Sequence, residues 1–517
     1  MSFSSTTSIS IPRLRDSFDG RVVAPGDPGY DRARKVFYGK FDRRPAAVVR
    51  PSNAAEVARA VALAAETGVE LAVRSGGHSL AGHSTTEGGI VLDLSELTAL
   101  DIDAEGRTAW AQGGLTAGAY TAAVGAHGLA TGFGDTGSVG IGGLTLGGGV
   151  GFLVRKHGLT IDSLLAAELV TADGQVLEVD DDHHPELFWA LRGGGGNFGV
   201  ATRLRFRLHE LASIVGGMLL LPATTEVIAG FVAAAEAAPE ELSAIANVMV
   251  APPLPFIPAA QHGQLVVLAL LAYAGDAEAG ERALAPFRAL AEPITDMVQP
   301  MPYAGLFEPA DEIEVVEESA RSLFLDRFDR AAAEAVVEHL WASTAPMAVA
   351  QLRVLGGAMA RVPAEATAFA HRDRRFMAVV GCIYEDVADR PAHHAWADGF
   401  AAALRRDSRP GVYVNFLSDE GPERVREAYP GPTWDRLVEV KRRYDPDNLF
   451  RLNQNIPRPA GPPDPATALA GERQRRLDIP RVRPWRLRAE PARRGAPGAH
   501  GRDHLGRGVV GCLSYSD

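Results

Sequence analysis

Residues 137–151 read GSVGIGGLTLGGGVG, eight glycines in 15 positions. A tight turn needs one or two. Glycine loses more backbone freedom on ordering than any other residue, so such a run is a poor helix and a poor strand. What it permits is close approach, of backbone to backbone or of backbone to ligand. Two further segments share this character, LAVRSGGHSLAGHS (71–84) and GGGGNFG (193–199). Each lies beside a strand pattern, so the three together can present backbone N–H groups to one extended anionic ligand with no side chains in the way. On physical grounds alone the ligand is nucleotide-like and otherwise open.

The flanking sequence is readable. AAVVR (46–50) is a short buried strand. Asn53 then caps a helix, with Glu56 placed for a capping box and Val57, Ala60, Val61 and Ala64 on one face, and Gly68 stops it. Val69, Leu71 and Val73 alternate as a strand, which makes 46–74 a β–α–β unit whose exit is the glycine loop with His78 and His83. A helix is expected over 116–127, and a strand, Asp-Gly turn and strand over 164–179. In VATRLRFRLHEL the apolar residues and the arginines alternate with period two from Val200 to Leu208, again a strand. Ala-rich helical stretches (225–238, 276–292, 328–343) among apolar runs point to a second, α+β unit. VYVNFL (412–417) and a helix at 433–443 read as the chain returning to the first. RPAGPPDPA marks a linker, and the Arg-rich remainder is expected to be disordered.

Composition narrows the function. A net charge of −12, with no Lys/Arg cluster before residue 470, argues against nucleic acid or an anionic membrane as the main partner. Cys382 and Cys512 form neither a CxxC site nor a disulfide framework. The first residues lack the continuous apolar core of a signal peptide, and no run approaches the length of a membrane span, so a cytoplasmic protein is expected. His78 and His83, five apart in a glycine loop with no third ligand, make a poor metal site, and none is expected. Gly194 to Gly199 matches G-x-G-x-x-G, but a helix pattern precedes it and a strand follows, the reverse of a dinucleotide fingerprint.

Taken together, AVRSGGHSLAGHS, GSVGIGGLTLGGGVGFLVRKHGLTIDSLLAAELVTADG, HPELFWALRGGGGNFGVATRLRFRL and YVNFLSDE…RLVEVKRRYDPDNLFRLNQNIP resemble the berberine-bridge-enzyme-like flavoproteins of the vanillyl-alcohol oxidase / para-cresol methylhydroxylase (PCMH) superfamily. The resemblance runs from about Tyr30 to Pro457. It implies an α+β fold: an N-terminal extension (1–41), a PCMH-type FAD-binding domain of two subdomains (42–213), an α+β substrate domain with an antiparallel sheet (214–408), a C-terminal segment rejoining the FAD domain (409–457), and the tail (458–517).

The same resemblance implies site residues. The R-x-G-G-H motif falls on Arg74, Gly76, Gly77 and His78, with His78 bonded to the flavin 8α-methyl group. A neutral imidazole suits that role as a nucleophile. Arg74, Ser75, Gly76, Gly77, Ser79 and Gly82 would cradle the pyrophosphate with His83 beside them. Ser138, Gly140, Gly142 and Gly143 would lie near the ring and ribityl chain, Gly148 and Gly149 at the pyrophosphate, Val200 near the adenosine, and Asn453 and Asn455 near the ring. Many relatives carry a cysteine as a second flavin anchor. Thr136 occupies that position here, so covalent attachment through His78 only is expected. Tyr413, in Y-x-N with Asn415, is the candidate base, provided its phenolate is stabilised. His371 and Arg372 match a recurring pattern of undefined role. The implied activity is hydride transfer from an alcohol, sugar, amine or activated C–H substrate to flavin N5, with dioxygen reoxidising the flavin to give hydrogen peroxide. The alternatives are a dehydrogenase or natural-product tailoring enzyme using another acceptor, and a non-catalytic flavin carrier.

Overall fold

The computed structural model describes residues 10–307 and 317–457, and the tail expected to be disordered lies outside them. The β–α–β unit forms as its pattern dictates. Strands Ala47–Arg50 and Leu71–Arg74 run parallel on either side of Ile90–Asp93, and helix Ala54–Thr67 connects the first two. The Asn53 side chain accepts from the Glu56 N–H at 3.0 Å, and Gly68 closes the helix at φ 68°. The capping box is not reciprocal. The buried Glu56 carboxylate turns away to accept from Asp19 N–H at 2.6 Å and Ser52 N–H at 2.7 Å, tying down the chain's first segment.

That segment lies within the extension expected at 1–41. Strand Arg21–Val23 pairs antiparallel with Ala47–Arg50 and completes a four-stranded sheet. A second sheet orders Leu100–Asp103, Thr108–Gln112, Val200–Arg207, Leu164–Val170 and Val176–Val179, all antiparallel. Part of the glycine-rich run is helical after all, over Ile141–Gly147. Tertiary packing overrides propensity there, because Ile141 and Leu144 are fully buried in the main core.

Eight strands between Ile214 and Tyr384 form one antiparallel sheet. Its alternation sorts neighbours to opposite faces. Leu219, Val267 and Ala378 pack under helices Thr225–Ala237, Arg330–Ala342 and Arg390–Arg405, whereas Leu220, Val266 and Met377 meet Leu80, Val150 and Ile161 of the glycine-rich half.

In the returning chain Val414–Phe416 forms a single 3₁₀ turn. Helix Pro432–Tyr444 then delivers Lys441, whose buried ammonium donates to Asn197 O at 2.8 Å, Asp445 Oδ2 at 2.6 Å and Phe450 O at 3.0 Å. Lys441→Met strands the Asp445 carboxylate, which is fully buried, and is expected to cost about 3–5 kcal/mol. Denaturant unfolding beside the parent protein measures it.

Candidate active site

The three glycine segments converge. The parallel strands of the first sheet deliver loop 75–84 at their carboxyl ends, where open α/β sheets place ligands. Segment 137–143 lies directly against it. A Cβ on Gly76 would come within 2.2 Å of Gly140 N, and one on Gly140 within 2.1 Å of Ser75 Oγ. Backbone touches backbone there, and nothing but glycine fits. With 195–201, the turn at 414–417 and segment 450–454, these loops line one open cleft.

Ser75, Gly76, Gly77, His78, Ser79, His83, Gly140, Gly142, Gly143, Val200, Asn415 and Asn453 line this cleft. His78 is 3% exposed, stacks on Phe37 with centroids 3.9 Å apart at 24°, and hydrogen-bonds the Ser138 backbone. Burial pushes its imidazole down to about 3, so the ring is neutral. Burial lowers the His83 imidazole to about 4, and the His83 backbone N–H donates to Ser79 Oγ at 3.1 Å.

Other residues expected at the site have different neighbours. Arg74 is a clamp: it donates to Ala33 O at 2.6 Å, Lys35 O at 3.0 Å and Asp93 Oδ2 at 2.9 Å, all away from the cleft. Gly82 makes room for the Phe41 ring. A Cβ on Gly148 would meet Phe369 and Tyr413, and one on Gly149 would meet Thr160, and neither glycine lines the cleft. Thr136 is buried, its hydroxyl 3.3 Å from Asp135 Oδ1. Ser138 and Asn455 do not line the cleft. His371 Nε2 donates to Glu427 O at 3.0 Å, and Arg372 forks onto Asp162 at 2.7 and 2.8 Å, both structural ties.

Phe37, Gly195, Gly196, Phe450 and Leu452 were missing from the expected site. Only the glycines had left a signal, as part of the third glycine segment. Behind Asn415 lies Tyr413, 1% exposed. Its hydroxyl oxygen accepts from Gly149 N–H at 2.8 Å and from Asn415 Nδ2 at 2.9 Å, and Asn415 also donates to Leu144 O at 2.9 Å.

The lining of the cleft bears on what it can hold. Gly143 and Gly196 have ordinary φ, and a Cβ on either would meet no atom within 4 Å, so neither turn geometry nor packing requires glycine. Asn453, which lines the cleft, has its Oδ1 buried without a hydrogen-bond partner, which is costly unless a ligand supplies one. These features fit FAD. Gly143→Leu, which adds side chain only to the cleft, is expected to abolish FAD binding and leave the thermal midpoint of the FAD-free protein unchanged. Flavin fluorescence quenching and a melting curve read the two effects. Among the described residues no three His, Cys, Asp or Glu side chains gather as metal ligands, and no helix is long and apolar enough to cross a membrane.

Comparison with known proteins agrees. Residues 45–180 match the FAD binding domain family, and residues 412–457 match the berberine and berberine-like family. The chain is 32% identical over 455 residues to (R)-6-hydroxynicotine oxidase of Paenarthrobacter nicotinovorans, covering 85% of this chain and 97% of that one. The crystal structure of 6-hydroxy-D-nicotine oxidase from Arthrobacter nicotinovorans superposes with a TM-score of 0.75 at 28% identity, covering 88% of this chain and all of that one. Glucooligosaccharide oxidase of Acremonium strictum, described with a 6-S-cysteinyl, 8α-N1-histidyl FAD, shares the fold with a TM-score of 0.73 at 24% identity, covering 85% and 98%. A glycine cleft built for FAD, matched along nearly the whole length of such relatives, makes this chain a berberine-bridge-enzyme-like FAD-linked oxidoreductase of the PCMH superfamily.

Proposed function

We propose that this protein is an oxidase that carries FAD covalently on His78 alone and uses Tyr413 as its catalytic base, with residues 214–408 forming the substrate-binding unit. The observation that carries the reading is the Tyr413 hydroxyl, whose oxygen takes two hydrogen bonds, one from the Gly149 N–H and one from the Asn415 amide. Both donors favour negative charge on that oxygen, the state in which a phenol accepts a substrate O–H or N–H proton. No Lys or Arg is needed for this, because a peptide N–H and a side-chain amide supply the stabilisation.

When bound, FAD supplies a two-electron acceptor that takes hydride at N5 and is returned to its oxidised form by dioxygen, releasing hydrogen peroxide. His78 offers a buried, uncharged ring nitrogen for the 8α bond. The Phe37 stack and the Ser138 backbone hold its orientation. Asn415 both lines the cleft and donates to Tyr413, so it links the base to the cofactor wall. Thr136 has no thiol to form a second link. Cys382 is the one cysteine among the described residues, and burial in the large sheet pushes its thiol up to about 12.

The substrate is a small molecule with an oxidisable C–H beside oxygen or nitrogen, as the names of the nicotine-acting and oligosaccharide-acting relatives suggest. Anaerobic incubation with a panel of cyclic amines, secondary alcohols and oligosaccharides tests this. One class is expected to bleach the flavin, and readmitted air is expected to restore it with one peroxide per turnover. A panel that leaves the flavin yellow defeats the enzyme reading. Bleaching that persists in air defeats the oxidase reading in favour of another acceptor.

A further inference from the structure

The face of the large sheet turned toward the glycine-rich half is apolar at Leu220, Met249, Val266, Leu268 and Met377. A chain of polar side chains crosses it. Gln351 Nε2 donates to Asn247 Oδ1 at 2.9 Å, and Arg353 donates to Gln351 Oε1 from Nε at 3.0 Å and Nη2 at 2.7 Å. The chain ends outside the sheet, where Arg353 pairs with Asp135. Both side chains are at least 96% buried. Burying such a pair costs desolvation that the mutual attraction only about balances, so a hydrophobic pair would hold the fold as well. The ion pair therefore invites an explanation other than stability.

Its placement supplies one. Asp135 begins the segment that runs through Thr136 and Ser138 to Gly140. That segment carries the orphaned Ser138 hydroxyl, meets the His78 ring through the Ser138 backbone, and abuts Gly76. The Arg353 guanidinium also lies over the Phe416 ring at 5.2 Å, and Phe416 packs edge-on against Tyr413 at 5.1 Å. One side chain thus touches both the segment that walls His78 and the turn that carries the base.

We propose that Arg353 is a positioning residue. Through Asp135 on one side and Phe416 on the other, it sets the spacing between the His78 wall and Tyr413, a noncovalent tie on the segment where Thr136 forms no covalent one. The inference rests on FAD filling the cleft and goes beyond the choice of His78 and Tyr413.

The test uses His78→Ala protein, in which FAD binding is an equilibrium. Adding Asp135→Asn with Arg353→Met removes the tie without leaving a buried charge alone. The dissociation constant for FAD is expected to rise about tenfold, equal to about 1.4 kcal/mol. The visible absorption band of the bound flavin is expected to shift, and the melting midpoint of the FAD-free protein to stay within a few degrees of the His78→Ala parent. Unchanged affinity and an unchanged band overturn the proposal, as does a loss of affinity matched by a loss of FAD-free stability.

Should the triple variant fail to fold, Arg353→Lys in the same parent decides. A lysine keeps charge opposite Asp135 but cannot fork onto Gln351 and cover Phe416 at once. A weakened, band-shifted FAD complex is expected, and parental behaviour overturns the proposal. A His78→Ala parent that bound no FAD at all would instead overturn the cofactor reading.

Discussion

Acid precipitation of the His78→Ala protein is expected to leave all of its flavin in the supernatant, whereas the unmutated protein carries its flavin into the pellet. The effect is all-or-none because a covalent bond is either present or absent. Three features of His78 combine. Burial leaves the imidazole uncharged, the stack on Phe37 fixes the ring plane, and the Ser138 backbone holds its rotation. An uncharged ring keeps its lone pair available as a nucleophile. Folded His78 stays neutral until the pH approaches about 3, below the ordinary value of 6.5, so attachment should not fall as pH drops through 6.5. It should fall only in strong acid. Mixing apoprotein with FAD across pH 5 to 9 and weighing the flavin-bearing peptide checks this. Before denaturation, His78→Ala should still bind FAD, since the glycine cradle is untouched. Flavin pelleting with the variant would mean a second anchor, which Thr136 and the unreactive Cys382 do not provide.

Tyr413→Phe is expected to lower kcat/KM by about 10²- to 10⁴-fold, the usual worth of general acid–base catalysis, with covalent flavin at the parental level. The ring keeps its packing on Phe369 and Phe416, so the loss belongs to the hydroxyl. In the parent the rate should rise with pH as the base loses its proton, and in Tyr413→Phe that rise should vanish. Asn415→Leu removes one of the two donors and should displace the rise toward alkaline pH. A Tyr413→Phe enzyme with the parental rate and pH profile would reduce Tyr413 to a packing aromatic.

Much of the scaffold was legible because local patterns there agree with tertiary packing. The Asn53 cap, the Gly68 stop and the period-two alternation from Val200 each state an element and the face it buries. The glycine segments announced the cleft, since their excess over what turns require is a local fact. What each glycine does is not. Gly143 opens onto the cleft while Gly148 makes room for Phe369, a residue more than 200 positions away that no local pattern can name. Arg74 shares the difficulty, because its carbonyl acceptors at Ala33 and Lys35 lie in a segment without periodicity. Phe37 was invisible for that reason too. Arg353 and Asp135 were unreadable as a pair, since only the closing of the large sheet over the glycine-rich half brings them together.

The cleft's walls are far apart in order of synthesis. His78 and Phe37 emerge early, but Asn415, Phe450 and Asn453 come near the end of the described chain. At about 5–20 residues per second, roughly 20–75 s separate His78 from Asn453 on the ribosome. During that interval the histidine loop has no opposite wall to hold FAD against it. Flavin capture therefore waits on the last part of synthesis, and a chain truncated before residue 412 should leave the ribosome with its nucleophile made and its cofactor unclaimed.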